Sequence, residues 1–288
     1  MISLGTSALI NVLLIGASGN LGIQIEKFLN SLGFKVFRGV KTRNSMQDIL
    51  VNEFQEILIP NGLRIDLVIN ASNRYFVNAN PQEIELMHNS IIGISASIAK
   101  TKLNCPVVFF STYLQYIKDA TESWSSYTDL KMKSTEIMKI FSEETSTTVL
   151  ELVLYDNYGG HRKNKFFDLA LESVFSGKEL LATPGESVLN LTYISDIVNS
   201  LGAILDVDAP LLQEGGLKTF SIYSKDTYTL KNLVTTIEEI SRKTASIKWG
   251  ALPYRAREVF EFLPTAPLFP DFVQTKSVVE YISAMPEL

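Results

Sequence analysis

An α/β fold follows from three features of the sequence: a doubly wound parallel sheet with a smaller α/β unit toward the C-terminus. Apolar strand-like runs alternate with amphipathic helical segments over the first 155 residues. The first of these runs leads straight into "GASGNLG", with a glycine at every third position, and then into a helical segment. After Tyr155 the spacing changes, and shorter strands and helices follow. Regular strand–helix–strand alternation implies a parallel sheet covered on both faces.

In chain order, "NVLLIG" (11–16) is a continuous apolar run that reads as a buried strand. "LGIQIEKFLNSLG" (21–33) puts Leu21, Ile25, Phe28 and Leu29 along one helical face, with Gly33 as C-cap. "FKVFRGV" (34–40) and "DLVINAS" (66–72) are the next strands. A helix is expected over 81–101, with Pro81 near its start, followed by strand "PVVFFST" (106–112). Helix 130–144 and strand "TVLELVLY" (148–155) complete the main pattern. Beyond it come helix 164–177, the glycine-proline turn "TPGES" (183–187), strand 190–195 and helix 196–206. Strand 219–224, helix 229–243 and strand 245–250 end the series. These later elements read as additions to the main sheet.

Bulk composition narrows the function. The 288 residues are 46% hydrophobic and 20% charged, as in an ordinary globular protein. A net charge of −5 argues against nucleic-acid or anionic-membrane binding, which needs a basic excess. Cys105 is the single cysteine, so no internal disulfide forms. There is no CxxC, and His88 and His161 lie far apart, so no metal site is expected. No apolar run reaches the ~18 residues of a membrane span. The first ten residues lack a basic n-region and read as a lead into a strand, not as a signal peptide. The expected location is the cytoplasm.

The glycine turn carries the first functional inference. Gly16 permits the tight turn, Gly19 lets backbone approach a pyrophosphate, and Gly22 lets the helix pack close to the strand. The helix N-terminus that follows offers N–H groups and a positive dipole end to phosphates. Gly16, Ser18, Gly19, Asn20, Leu21 and Gly22 are therefore the expected cofactor-binding turn of a Rossmann-type domain. An acid at the end of the second strand would bind the ribose 2′-hydroxyl of NAD. "FRGVKTR" has none; it has Arg38, Lys41 and Arg43, and Lys41 and Arg43 suit a 2′-phosphate. NADP(H) is favoured, with NAD(H) the alternative. The expected division is a dinucleotide-binding domain of 1–157 with 189–225, and a substrate-binding domain of 158–188 with 226–288.

"SSYTDLKMKS" (125–134) puts Tyr127 and Lys131 four positions apart, on one face of a helix. A nearby ammonium favours the phenolate and would lower the tyrosine's pKa. The spacing alone is uninformative in a chain this rich in both residue types. The order of motifs is not: the glycine turn, "VVFFSTYLQY", and then Tyr127-xxx-Lys131 resemble the extended short-chain dehydrogenase/reductases, the NAD-dependent epimerase/dehydratase family acting on nucleotide sugars. "IKWGALPYRAREV" (247–259) is similar to a segment of CDP-paratose and CDP-abequose synthase-like proteins, which reduce the 4-keto group of nucleotide 4-keto-6-deoxyhexoses.

The resemblance implies residue roles. Thr112 falls on the catalytic Ser/Thr, Tyr127 on the proton-transferring tyrosine and Lys131 on the lysine that contacts the nicotinamide ribose. Ala71, Ser72 and Asn89 fall where the family passes the cofactor; Asp156 and Arg255 fall at substrate contacts. The chain departs from the family at Val153-Leu154, where Arg-Pro is common, and at Leu189-Asn190-Leu191, where Arg-Asp-Phe is usual. Tyr113 and Leu114 follow Thr112, where 4,6-dehydratases carry an Asp-Glu pair, so dehydration is not expected. The implied reaction is NADPH-dependent 4-keto reduction of a nucleotide sugar in deoxysugar (O-antigen or polysaccharide) biosynthesis. Two alternatives stand beside it: a 4-epimerase with tightly held NAD, and a catalytically silent cofactor-binding sensor. The family also implies a homodimer, here through helices 81–101 and 130–144.

Overall fold

The computed structural model describes residues 11–76, 79–117, 125–160, 165–205, 209–254 and 258–285. Its elements begin with strand β1 (Asn11–Ile15), helix α1 (Asn20–Ser31), and strands β2 (Lys35–Val40), β3 (Asp48–Leu50) and β4 (Leu67–Asn70). Helix α2 (Pro81–His88) follows, then α3 (Ile94–Thr101), β5 (Val107–Thr112), α4 (Ser126–Thr145), β6 (Thr148–Leu154) and β7 (Asp156–Tyr158). The chain continues with α5 (Phe166–Ser176), β8 (Leu180–Leu181), β9 (Val188–Tyr193), α6 (Ile194–Ser200) and α7 (Pro210–Gln213). It ends with β10 (Gly216–Ile222), β11 (Thr227–Thr229), α8 (Leu230–Ser241), β12 (Ile247–Lys248) and α9 (Val278–Ser283).

Two compact units result. One comprises Met1–Val153, Leu201–Ser221 and Thr265–Pro270; the other Leu154–Ser200, Ile222–Pro264 and Asp271–Leu288. The first holds a seven-stranded sheet in the order β10-β6-β5-β4-β1-β2-β3. β1 pairs in parallel with β2 and β4, β2 with β3, and β4 with β5. Strands buried on both faces need apolar residues throughout, which is why β1, β4 and β5 lack polar alternation. Leu13, Val68, Val107 and Phe109 form the core with Ile98 of α3 and Met138 of α4. Strand order reverses between β1 and β4, and the crevice at such a point is where α/β folds bind ligands.

Local signals set the helix ends. Asn80 and Glu83 form a reciprocal capping box at the start of α2, with Pro81 in the first turn. Ser125 caps α4 by accepting from Thr128 N, so the helix begins four residues before the expected 130 and takes Tyr127 into its first turn. Helix 81–101 is not uniform: Asn89–Gly93 form a π turn between α2 and α3. The spacing makes strand 219–224 an addition, but β10 takes the edge place beside β6 in the main sheet. Segment Thr265–Pro270 runs along it: Ser221 N donates to Pro267 O at 2.8 Å and Phe269 N to Ser221 O at 2.9 Å. Phe269 is buried there, edge-on to Phe220.

The second unit has its own core, where Tyr158, Phe167, Leu171, Leu233 and Ile237 pack together. β9 pairs with β7 in parallel and with β11 in antiparallel, so segment 188–193 belongs to this small sheet. β8 and β12 make a further two-stranded ribbon. Buried Asp196 accepts from Thr275 N, and Asp226 from Val278 N and Gln274 Nε2, fastening the segment before α9.

Candidate active site

The glycine turn is closed by its own geometry. Gly16 ends β1 at φ +87°, a left-handed conformation that favours glycine. A Cβ there would lie 2.5 Å from Ser72 N and 2.6 Å from the Ala71 carbonyl carbon, so the turn abuts the exit of β4. A Cβ at Gly22 would lie 2.1 Å from Gly16 O, which is why α1 packs so near the strand. Gly19 N donates to Gly16 O at 2.9 Å, and no side chain caps α1 behind it. Its first turn carries no acid either, and that leaves the positive end of the helix suited to an anion. Ser18 is exposed at the tip of the turn, and Asn20 and Leu21 are half-buried in the first turn of α1. Both the steric cradle and the uncapped helix fit a dinucleotide pyrophosphate.

The basic end of β2 is partly engaged. Arg38 meets Glu26, and Lys41 forms an ion pair with Glu53. Arg43 Nε lies 3.4 Å from Ser45 O. Asp48 shapes this loop by accepting from the N–H groups of Asn44 and Ser45, each at 2.8 Å. Ser72 Oγ donates to Asn70 Oδ1 at 2.5 Å and reaches Ser90 O at 3.1 Å. The β4 exit is thereby tied to the π turn that Asn89 opens. An extra residue in a helical turn often marks a functional site.

Thr112, Tyr127 and Lys131 are assembled by β5 and α4. Thr112 is buried at the carboxyl end of β5 and caps the 3₁₀ turn Tyr113–Tyr116, with Oγ1 accepting from Leu114 N at 3.4 Å. Lys131 Nζ donates to Phe110 O, two residues back along β5, at 2.9 Å. The same ammonium stands 5.8 Å from the Tyr127 ring centroid. Tyr127 Oη accepts from Asn73 Nδ2 at 3.1 Å, and its ring meets Tyr75 edge-on at 4.9 Å.

Electrostatics correct one expectation. Burial pushes the Tyr127 phenol up to about 12, against the lowering that the Lys131 spacing suggested. Desolvation outweighs the weaker opposing pull of the Asn73 hydrogen bond, and the ammonium is spent on the Phe110 carbonyl. Burial likewise pushes Lys131 down to about 8, opposed by the charge of Glu151.

Of the expected substrate contacts, Asp156 lies on β7, with Lys165 Nζ 3.8 Å from Oδ1. Arg255 lies outside the described residues, as does the lead segment 1–10. Asn73, Tyr75 and Glu151 were not anticipated. The single sequence signal for the first two is their place just past the strand end at the reversal of strand order. Among the described residues, no group of three or more His, Cys, Asp or Glu is placed to hold a metal ion. No described helix is long and apolar enough to cross a membrane.

Strand order and the glycine turn define a Rossmann-type α/β fold, with Tyr127 and Lys131 paired on one helix beside its sheet. The chain's relative CDP-abequose synthase from Yersinia pseudotuberculosis is 25% identical over 263 residues, spanning 86% of this chain and 90% of that protein. No family model matches the chain. Among solved structures, MoeE5 in complex with UDP-glucose and NAD aligns at TM-score 0.74 and 16% identity, over 95% of this chain and 96% of that one. UDP-glucuronic acid 4-epimerase from Bacillus cereus, in complex with UDP-glucuronic acid and NAD, aligns at 0.74 and 14% identity, over 96% and 97%. UDP-glucose 4-epimerase from Thermotoga maritima with UDP-glucose aligns at 0.70 and 16% identity, over 95% and 96%. At these identities the structural likenesses establish the fold.

Proposed function

We propose that the chain is an NAD(P)-dependent oxidoreductase that uses NADPH to reduce the 4-keto group of a nucleotide-activated 4-keto-6-deoxyhexose. The step belongs to deoxysugar assembly for O-antigen or a related polysaccharide, in the cytoplasm. One observation carries this reading: Tyr127 and Lys131 stand on one helix against the end of β5, where Thr112 lies. The CDP-abequose synthase relative supports the sugar class.

Gly16, Ser18, Gly19, Asn20, Leu21 and Gly22 would hold the pyrophosphate, and Lys41 and Arg43 the 2′-phosphate. Ala71, Ser72 and Asn89 would flank the rest of the cofactor. When bound, NADPH supplies the hydride. Tyr127, neutral at working pH because burial raises it to about 12, donates the proton to the carbonyl oxygen. Thr112 donates a hydrogen bond to that oxygen and orients it. Lys131 holds the ribose and offsets the phenolate left behind. Asp156 and Arg255 contact the nucleotide sugar.

A second reading, 4-epimerisation with tightly bound NAD, draws on the NAD-bound 4-epimerase among the structural neighbours. An epimerase acting on a hydroxyl needs the phenolate first, and burial of Tyr127 works against that. A silent sensor would have no use for Thr112, Tyr127 and Lys131 together. The chain is further proposed to form a homodimer through α2–α3 and α4, where Leu86, Met132 and Ile140 are exposed.

The test is NADPH consumption with a panel of nucleotide 4-keto-6-deoxy sugars. Tyr127→Phe should lose rate by roughly 10²–10⁴-fold with cofactor binding retained. An unchanged rate in this variant would sink the proposal, and NADH serving better than NADPH would overturn the cofactor assignment.

A further inference from the structure

The interior of the first unit holds a carboxyl group that the reaction does not use. Glu151 sits in the middle of β6, in "TVLELVL", with no exposed surface. A Val or Leu would suit such a strand, and burying a carboxylate is costly unless its lone pairs are filled. Four donors fill them. Oε1 accepts from Gln115 Nε2 at 3.0 Å and Thr135 Oγ1 at 2.9 Å. Oε2 accepts from Tyr116 Oη at 2.5 Å and Thr219 Oγ1 at 3.0 Å.

The donors come from places that matter. Gln115 and Tyr116 belong to the 3₁₀ turn that Thr112 caps. Thr135 stands one helical turn beyond Lys131 on α4, and Gln115 Nε2 also reaches Thr135 Oγ1 at 3.0 Å. Thr219 comes from β10 on the far side. We propose that Glu151 is a positioning residue of the active site: its buried carboxylate ties the turn carrying Thr112 to the helix carrying Tyr127 and Lys131, and sets the charge balance at Lys131.

Among the described residues, three groups act on the Lys131 ammonium. The Tyr127 ring lies on its own helix, the Phe110 carbonyl on β5, and Glu151 on β6. The charge of Glu151 favours the ammonium, against burial. Tyr116, held protonated by burial and by Glu151, stays a donor to the carboxylate. This inference rests on the function proposed above for what Lys131 does, but its physical core is testable without substrate or cofactor.

The experiment is an NMR pH titration of the full chain labelled with [ε-¹³C]lysine, with Lys131→Met identifying the resonance. Wild type should titrate near the value of about 8. Glu151→Gln should move the midpoint to lower pH, because the supporting charge is gone. Thr219→Val should move it to higher pH, because a carboxylate with one donor fewer pulls harder on the ammonium. A merely structural glutamate would not give opposite shifts, and an unchanged midpoint in Glu151→Gln overturns the proposal. If Glu151→Gln does not fold, Thr219→Val decides alone, and an unchanged or lowered midpoint there is fatal. With an active substrate in hand, Glu151→Gln should lower kcat by about 10²-fold and move the alkaline limb of the pH profile downward. Wild type that turns over no 4-keto sugar, yet shows both NMR shifts, would refute the proposed function and leave the role of Glu151 standing.

Discussion

Lys131 carries a measurable cost at the level of the single residue. Burial takes its ammonium from 10.5 to about 8. Holding the proton in the folded chain costs roughly 3 kcal/mol, felt fully below pH 8 and gone above the unfolded value. Between those limits the unfolded chain binds more protons, so stability rises with pH. Relative to Lys131→Met, wild type should gain about 2 kcal/mol between pH 7 and pH 10, read from urea melts at both. A wild type that gains nothing on Lys131→Met over this range would show that the ammonium is better solvated than its burial implies. The pairing of Tyr127 with Lys131 was legible because helical spacing is a local property. The direction of the Tyr127 shift was not, since burial is set by Asn73, Tyr75 and the packing of distant elements. Glu151 was illegible for the same reason: its four donors lie between 16 and 68 positions away.

Among elements, the glycine turn gives the sharpest contrast. Gly22→Ala sets a methyl group against the Gly16 carbonyl and Ala17 Cα, backbone atoms that cannot swing aside. It should destabilise by several kcal/mol, or abolish cofactor binding if α1 moves off β1. Gly33→Ala meets nothing within 4 Å and has only its φ of +83° to oppose it. That variant should cost about 1–2 kcal/mol and leave binding unchanged. Parallel thermal melts and cofactor titrations separate the two. The turn and its flanking strand and helix were readable because a glycine at every third position between an apolar run and a helical face is a local pattern, although the close approach of Gly16 to Ala71 and Ser72 is not. The π turn at Asn89–Gly93 was not, because shifting a hydrogen-bond partner by one leaves no mark on composition. β3 escaped notice because three residues are too few to show a period. β9 was recognisable as a strand, but its sheet was not: partner choice depends on β7 and β11, some 30 residues to either side.

For the molecule as a whole, α2 and α4 present Leu86, Met132 and Ile140 to solvent, at 40%, 51% and 45% exposure. If these cover one another in a homodimer, Met132→Glu with Ile140→Glu should yield a monomer by sedimentation while leaving the fold intact. A monomeric wild type would remove that proposal. The first unit draws on three separated stretches of chain, and the third, Thr265–Pro270, lines edge strand β10 of its seven-stranded sheet.

That lining fixes an order of events during synthesis. Until position 270 has emerged, Ser221 offers its N–H and C=O to any extended peptide nearby, and Phe220 lacks the ring that covers it. A nascent or C-terminally clipped chain therefore carries a sticky rim, so chains ending at Pro264 should aggregate where those ending at Leu288 do not. Release of the chain through Pro270 is then a condition for the edge of the seven-stranded sheet to be sealed.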